Sequence, residues 1–342
     1  MKLSGLVFAL AIPQIVAGHS VFTNLWVDNI NQGDGTCVRM AMDPGSATDP
    51  INDLQSNNMA CGFDGTQSVA RVCPVREGAK LSFEFREWAD KSKPGAIDGS
   101  HKGPCSVYMK NVGSAINDTG VGEGWFKITT SGYDYKTSKW CTELLEANNG
   151  FFSYTIPNDL AGGYYLVRPE LLALQEADKI PPNPQFYVGC AQIFLDSEAT
   201  ALPRDTVSIP GYVNISNPSV LFDIYNPQWP YPEPGPRAYE AGKSRIREVK
   251  PLEEQTEGLL PQNVEMVNAN WWGVKLDNYH TEAGCWNASK ACYGQATSCY
   301  ETAPPTGSKN CTLWEENCNG IRDACDKSVF DGPPKLSDIV TE

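Results

Sequence analysis

The sequence predicts an all-β protein with an appended module: an antiparallel β-sandwich followed by a small, Cys-rich helical region. Short runs of β-branched and aromatic residues, separated by Gly, Pro, Asn and Asp, fill the first two thirds of the 342 residues. No helical patterns alternate with these runs, which favours an antiparallel over a parallel sheet. The twelve cysteines fall into two groups of six, one in the β-rich region and one in the last sixth of the chain.

Six stretches of the β-rich region are predicted strands, because apolar and polar residues alternate or because aromatic and β-branched residues dominate. They are Ser20–Val27, Leu81–Phe85, Ser106–Val112, Phe151–Ile156, Gly163–Val167 and Gln185–Leu195. Many short strands are typical of an immunoglobulin/fibronectin-like antiparallel sandwich. One helix is expected here, at Pro169–Asp178, because Pro favours a first helical turn and Leu-Leu-Ala-Leu follows.

Shifts in composition place the domain boundaries. Residues 1–18 have the basic start, short apolar stretch and small residues at the cleavage point that are typical of a signal peptide, although an uncleaved buried helix is the alternative. The sandwich is expected at 19–236 and a charged linker, or a solvated helix, at 237–267. The Cys-rich module follows at 268–335, with helices at Ala283–Cys299 and Leu313–Cys325, and residues 336–342 form a tail.

Cysteine usage indicates an oxidising, extracellular compartment. Six cysteines in each region suit separate disulfide sets, but six allow fifteen pairings, so spacing does not fix connectivity. A zinc site is the alternative for the second group, and the lack of any CxxC pair argues against it. Four Asn-x-Ser/Thr sequons are candidate glycosylation sites of a secreted protein, at Asn117, Asn214, Asn287 and Asn310.

The charge balance narrows the class of partner. Asp and Glu number 41 against 27 Lys and Arg. A nucleic-acid binder needs a basic face for phosphates, and docking on an anionic membrane needs one as well. We therefore expect neither partner, and the acidic chain is compatible with an uncharged ligand.

Only three histidines are present, and two of them make a candidate metal site. Cleavage after Gly18 would free the α-amino group of His19, so one residue would offer an amine and an imidazole nitrogen. His101, in a Gly- and Pro-rich loop before a strand, would add a second imidazole. Three nitrogens with vacant positions suit copper. The alternative is that both are ordinary histidines, and His280 is expected to lie on the surface.

Gln185 and Tyr187 are further site candidates. In a strand they point to the same face, and Phe186 points to the other. The alternative is a half-buried Tyr beside a solvated Gln.

Taken together, these residues resemble a known family, the fungal lytic polysaccharide monooxygenases of auxiliary activity family 9, once classed as glycoside hydrolase family 61. The resemblance runs in order from His19 to Pro236. A shorter likeness to Cys-rich extensions of some members covers Cys299–Gly307 and Trp314–Glu316. The matching blocks of the sandwich are His19–Val27, Gly35–Met40, His101–Pro104, Val107–Met109, Gly124–Ile128, Gly163–Arg168, Gln185–Ile193, Val207–Tyr212 and Pro234–Pro236.

The resemblance implies one copper ion in a histidine brace. His19 would bind it through amine and ring, His101 through its ring, and Tyr187 would take the axial position. Gln185 would hydrogen-bond the oxygen co-substrate. The implied activity is oxidative cleavage of cellulose or related β-1,4-glucans at C1 or C4, with O2 or H2O2 and electrons from a small reductant or a secreted redox enzyme.

The resemblance also implies substrate and structural residues. Tyr231 falls where the family places a surface aromatic residue, and Tyr212 is a second candidate for stacking on sugar rings. Cys61 and Cys190 should pair. We expect a monomer.

One departure from the family pattern concerns residues around the metal. Gln175 stands where many members have a histidine, and a glutamine cannot exchange a proton near neutral pH. Pro169 replaces a common Ser or His, whereas Arg168 keeps the family residue and is a candidate donor behind the metal ligands.

Two other functions remain open from the sequence. A secreted copper-binding protein without oxidative turnover would use the same ligands, and the Gln175 departure favours it. A hydrolase with two catalytic carboxylates is the third reading, but no sequence context nominates a pair.

Overall fold

The computed structural model describes residues 19–334, so the predicted signal peptide and residues 335–342 lie outside the described residues. The sandwich contains two short helices, α1 at Asn58–Cys61 and α2 at Cys141–Ala147. Its strands are β1 Val21–Val27, β2 Ile30–Asn31, β3 Val38–Arg39, β4 Cys73–Arg76, β5 Lys80–Arg86, β6 Cys105–Val112, β7 Gly122–Ser131, β8 Tyr133–Asp134, β9 Lys139–Trp140, β10 Phe151–Thr155, β11 Gly163–Ala173, β12 Gln185–Val188, β13 Cys190–Asp196, β14 Ala201–Pro203 and β15 Val207–Ile209.

Two sheets face each other, which confirms the predicted sandwich. The smaller sheet has the order β10-β5-β1-β2, and the larger has β15-β7-β6-β11-β13-β3, with β12 beside β11. All these pairs are antiparallel; β4 joins β13 in parallel. Apolar side chains of both sheets share one core, including Phe22 and Phe83 from the smaller sheet and Val107, Leu171 and Ile193 from the larger. A second apolar cluster lies on the outer face of the larger sheet.

The prediction of a helix at Pro169–Asp178 is wrong. The chain continues there as β11, an eleven-residue strand that is buried along its whole length. Both faces of β11 are covered, so apolar residues dominate its sequence, and the only charged residues, Arg168 and Glu170, pair with each other. An apolar run of this kind does not distinguish a buried strand from a helix. Pro169 lies opposite Gly189, the residue that separates β12 from β13 along the neighbouring edge of β11.

The segment 237–267 is not a solvated linker. Its strand β16, Ile246–Glu248, pairs with β14. The Tyr239 hydroxyl donates to Asp159 at 2.6 Å, and the Tyr164 hydroxyl accepts from two backbone nitrogens of the segment. Backbone hydrogen bonding holds this polar stretch on the sandwich, which is a tertiary effect that composition does not record.

The C-terminal module has its own core. It consists of β17 Val264–Asn268, β18 Trp271–Val274, α3 Glu282–Thr302 and α4 Lys309–Asp326, which confirms both predicted helices. Nested disulfides join α3 to α4, between Cys285 and Cys325, Cys292 and Cys318, and Cys299 and Cys311. They surround the fully buried Trp314 and Ile321.

The other six cysteines pair within the sandwich: Cys37 with Cys73, Cys61 with Cys190, and Cys105 with Cys141. The pairing implied for Cys61 and Cys190 is thus present. Since all twelve cysteines are in disulfides, the zinc alternative for the second group is excluded. Across residues 19–334, no helix is long and apolar enough to cross a bilayer.

Candidate metal centre

Two histidine rings converge on one tyrosine at one end of the sandwich. The ring centroid of Tyr187 lies 6.2 Å from that of His19 and 5.9 Å from that of His101. Tyr187 is 1% exposed and His101 8%, whereas the side chain of His19 is 23% exposed. The structure therefore brings together the three residues that the sequence nominated.

Each histidine is positioned by its neighbours. His19 lies two residues before β1, and the hydroxyl of the intervening Ser20 donates to the Ala96 carbonyl at 2.7 Å. The loop after His101 runs beside the end of β11, where Leu174 N donates to Lys102 O at 2.9 Å. Gly103 allows this close approach, because a Cβ atom there would lie only 1.8 Å from the Leu172 carbonyl oxygen.

A hydrogen-bonded row of polar side chains lies beside the rings. The Tyr187 hydroxyl donates to Gln185 Oε1 at 2.9 Å, and Gln175 Nε2 donates to the same oxygen at 2.8 Å. Gln185 and Tyr187 share one strand face as predicted, because β12 pairs Gln185 with Ala173 and Tyr187 with Leu171. Phe186 packs in the cluster on the opposite face.

The electrostatics favour a neutral His101 ring. Burial lowers the pKa of His101, against the carboxylate of Asp98, which raises it, and the neighbouring His19 lowers it further. Burial also raises the pKa of the Tyr187 phenol, so its proton stays on the hydroxyl. A neutral imidazole is the form that binds a metal.

The donor chemistry fits copper if a third nitrogen is supplied. Within residues 19–334, no group of three or more His, Cys, Asp or Glu side chains is arranged to hold a metal ion. Two imidazoles alone are a sparse ligand set, and the α-amine of His19 would complete it. In the uncleaved chain, His19 Nδ1 instead lies 3.0 Å from Asp49 Oδ1.

Three residues do not take the expected places. Arg168 points to the opposite sheet face from Tyr187, because residues an odd number apart on β11 alternate, and it bonds Glu170 and the Met59 carbonyl. The Tyr212 hydroxyl donates to Glu170. Tyr231 is 7% exposed, and its hydroxyl donates to Ser219 O at 3.0 Å. Arg168 is therefore not beside the metal ligands, and the Tyr231 ring is packed into the protein. Tyr212 is half-buried, with its hydroxyl bonded to Glu170.

Two other aromatic residues are exposed on loops that contact residues around the site. Tyr225 is 61% exposed and its hydroxyl donates to the Gln175 carbonyl at 3.1 Å. Trp229 is 41% exposed and its ring lies 5.9 Å from that of Trp140. Trp140 adjoins α2, whose Thr142 N donates to Gly103 O. These loop residues carry no periodic signal, so only the tertiary fold brings them near the histidines.

The remaining candidates lie away from this site. His280 is on the module, with a largely exposed side chain 2.7 Å from Asp331, as expected for a surface residue. Asn117, Asn214 and Asn287 are exposed, whereas Asn310 is half-buried and donates to Val267 O.

Comparison with known proteins gives a consistent result. The family model of Auxiliary Activity family 9 (formerly GH61) matches residues 19–233 of the sequence. AA9 family lytic polysaccharide monooxygenase H of Botryotinia fuckeliana is 59% identical over 94% of this chain and 76% of its own length. AA9 family lytic polysaccharide monooxygenase C of Aspergillus tamarii is 48% identical over 97% of this chain and 91% of its own.

Solved structures agree with these relatives. The structure named CvAA9A superposes with a TM-score of 0.59 at 32% identity, covering 65% of this chain and 98% of its own. Cel61B from Hypocrea jecorina, at 21% identity and a TM-score of 0.57, supports the fold alone. This chain therefore belongs to Auxiliary Activity family 9 and is a copper-dependent polysaccharide monooxygenase.

Proposed function

We propose that the protein is a secreted enzyme that cleaves cellulose or related β-1,4-glucans by oxidation at C1, C4 or both. It would use one copper ion, a reductant and O2 or H2O2. The observation that carries this proposal is the convergence of His19 and His101 on Tyr187, with Gln185 bonded to the tyrosine hydroxyl.

His19 and His101 would hold the copper. After cleavage, His19 contributes its amine and ring nitrogens and His101 contributes a ring nitrogen, while Tyr187 flanks both rings. Copper, when bound, supplies one-electron redox chemistry towards the oxygen co-substrate. The protein contributes the ligand positions and the groups behind them.

Gln185 would orient the oxygen co-substrate. Its Oε1 already accepts two hydrogen bonds, from Tyr187 and Gln175. Its Nε2 is consequently the end of the amide that is left to donate to a small oxygen ligand. Gln175 would act by holding this amide in one orientation, and it cannot deliver a proton as an imidazole would.

The substrate would lie across the exposed aromatic residues beside the site. Tyr225 and Trp229 would take this role in place of Tyr231, which is buried, and Tyr212, which is half-buried with its hydroxyl bonded to Glu170. Aromatic faces cover the C–H faces of sugars and bury apolar area. The ligand class is an uncharged glucan, and we expect the protein to work as a monomer.

The second candidate is a secreted copper-binding protein without oxidative turnover. Gln175 favours it, since the usual proton-exchanging side chain is missing. Copper binding does not separate the two candidates, because both need the same ligands.

Product analysis separates them. Copper-loaded protein that begins at His19 is incubated with cellulose and ascorbate, and the soluble products are analysed by mass spectrometry. We expect oligosaccharides ending in aldonic acids or 4-keto sugars, lost on His101→Ala. Absence of oxidised products across several β-glucans would favour the second candidate. Cleavage that survives chelation and needs no reductant would point to a hydrolase.

A further inference from the structure

The C-terminal module carries a row of aromatic residues along α3: Trp286, Tyr293 and Tyr300. They are spaced at seven-residue intervals, and positions seven apart share a helix face, with a drift of only about 20° per interval. Trp286 and Tyr300 are each 40% exposed, and Tyr293 is half-buried. The row therefore runs along one side of nearly the whole helix.

Side chains of α4 hold two of these rings in place. The Tyr293 hydroxyl donates to Asn319 Oδ1 at 2.6 Å, and the Arg322 guanidinium lies 5.8 Å from its ring centroid. The Tyr300 hydroxyl donates to Glu315 Oε2 at 2.9 Å. Rings that are fixed before binding lose less conformational freedom when a ligand arrives.

The ends of the row do not belong to the core of the module. That core is formed by the six cysteines with Trp314, Ile321 and residues of β17 and β18, and it contains neither Trp286 nor Tyr300. Packing of the module core therefore does not require Trp286 or Tyr300. Aromatic residues aligned on a surface are typical of a binding face.

The spacing selects a ligand. Seven helical residues advance about 10.5 Å, which is close to the disaccharide repeat of an extended β-1,4-linked glucan. Every second sugar of such a chain presents the same face. Charges of both signs adjoin the row, since the Arg322 guanidinium lies over the Tyr293 ring and Glu315 accepts from the Tyr300 hydroxyl. The row is therefore not a surface of one charge, as suits an uncharged polymer.

We propose that this row is a second polysaccharide-binding site, which takes an extended β-1,4-glucan with rings stacked on alternate sugars. The substrate class rests on the proposed function. The module is fixed to the sandwich, because the buried Asn270 bonds Cys37 N and Gly35 O. Binding along α3 would therefore keep the whole enzyme on the polymer and raise the local concentration of substrate at the copper site.

The test is the partition of the full-length mature protein, freed of N-glycans and copper, onto microcrystalline cellulose. Trp286→Ala and Tyr300→Ala should each weaken binding by roughly three- to tenfold, and the double variant more, since each loses one stacking surface. Tyr300→Phe should bind more tightly than Tyr300→Ala, because it keeps the ring and loses only the hydroxyl, with its bond to Glu315. A β-1,3-glucan lacks the extended repeat and should show no difference between parent and variants.

A matched control moves the aromatic residue instead of deleting it. Trp286→Ala combined with Ala291→Trp keeps an exposed Trp on α3 but places it on another face, and it should bind as weakly as Trp286→Ala. Reductant oxidation without polysaccharide reports copper-site integrity, and should be unchanged. Equal cellulose binding by the parent and the double variant would overturn the proposal, while product formation by that variant would leave the proposed function standing.

Discussion

At the scale of single residues, the site depends on a few contacts that alternation along a strand makes predictable. Gln185 and Tyr187 share a face because they are two residues apart on β12. By the same rule, Arg168 points away from the site, because it lies three residues from Leu171, the partner of Tyr187 on β11. Asp49 and Tyr225 were not predictable, because loop residues have no period and their contacts are non-local.

The first prediction concerns Gln175, which bonds Gln185 but cannot exchange a proton near neutral pH. Gln175→His should raise the rate of product formation on cellulose, by about tenfold or more, because general acid–base catalysis by a positioned imidazole has at least that size. Copper affinity, measured by calorimetry, should stay the same, since Gln175 is not a ligand. Equal rates for the two proteins would remove the proposed role of this position.

A second residue-scale prediction concerns the ion pair beneath the module. Both Asp34 carboxylate oxygens lie 2.8 Å from Arg86 nitrogens. Burial alone would raise the pKa of Asp34, but the hydrogen bonds and charge of Arg86 outweigh it and lower the pKa below the ordinary value of 3.8. Because the folded pKa is lowered, this stabilisation is present above about pH 4 and is lost as the pH falls through the folded value.

Asp34→Asn should therefore lower the free energy of unfolding by about 1–3 kcal/mol at pH 7, measured by guanidinium denaturation. The difference from the parent should stay constant from pH 7 to pH 5 and shrink at pH 3. Asp205→Asn, which removes an exposed partner of Arg245, is the control and should change stability by less than about 1 kcal/mol. A difference that is equally large at pH 3 would contradict the assignment.

At the scale of elements, the predictable parts are those whose sequences have a regular spacing of apolar and polar residues. The strand predicted at Leu81–Phe85 lies within β5, and the amphipathic α4 lies where the second helix was expected. The uniformly buried β11 was mistaken in part for a helix. The segment 237–267 was mistaken for a linker, because its attachment uses backbone groups and a few isolated side chains such as Tyr239, which form no periodic pattern.

A prediction at this scale concerns how the C-terminal module docks on the sandwich. Asn270 is 7% exposed, and its amide bonds the backbone of Gly35 and Cys37, each at 2.8 Å. Asn270→Ala leaves the buried Cys37 N–H unpaired, while the Gly35 carbonyl oxygen still accepts from Val38 N. Docking should therefore weaken by about 1–3 kcal/mol. Limited proteolysis and hydrogen exchange of the 237–267 segment should accelerate.

Asn268→Ala is the matched control for this variant. Asn268 bonds Gly307 O and Asn310 N within the module, so its loss should perturb the module without opening the junction. Equal exchange rates at Gly35–Cys37 in parent and Asn270→Ala would show that the docking does not depend on this residue.

At the scale of the whole molecule, one end of a rigid sandwich gathers residues that are far apart in the chain. His19 lies just before β1, His101 lies in the loop before β6, and Tyr187 lies on β12. The Cys61–Cys190 disulfide joins α1 to the start of β13, the strand that follows β12. Two of the three histidines are enough for the proposed three-nitrogen site, because His19 can supply two nitrogens. The acidic chain needs no charge complementarity towards a neutral polymer.

Electron paramagnetic resonance of the equimolar Cu(II) complex tests this central claim most directly. The chain that begins at His19 is compared with the same chain whose His19 α-amino group is acetylated, so that only the free amine is removed. We expect hyperfine coupling to three nitrogens in the first and to fewer in the second, with weaker copper binding. The same spectrum from both chains, or no nitrogen coupling in either, would contradict the proposed copper site.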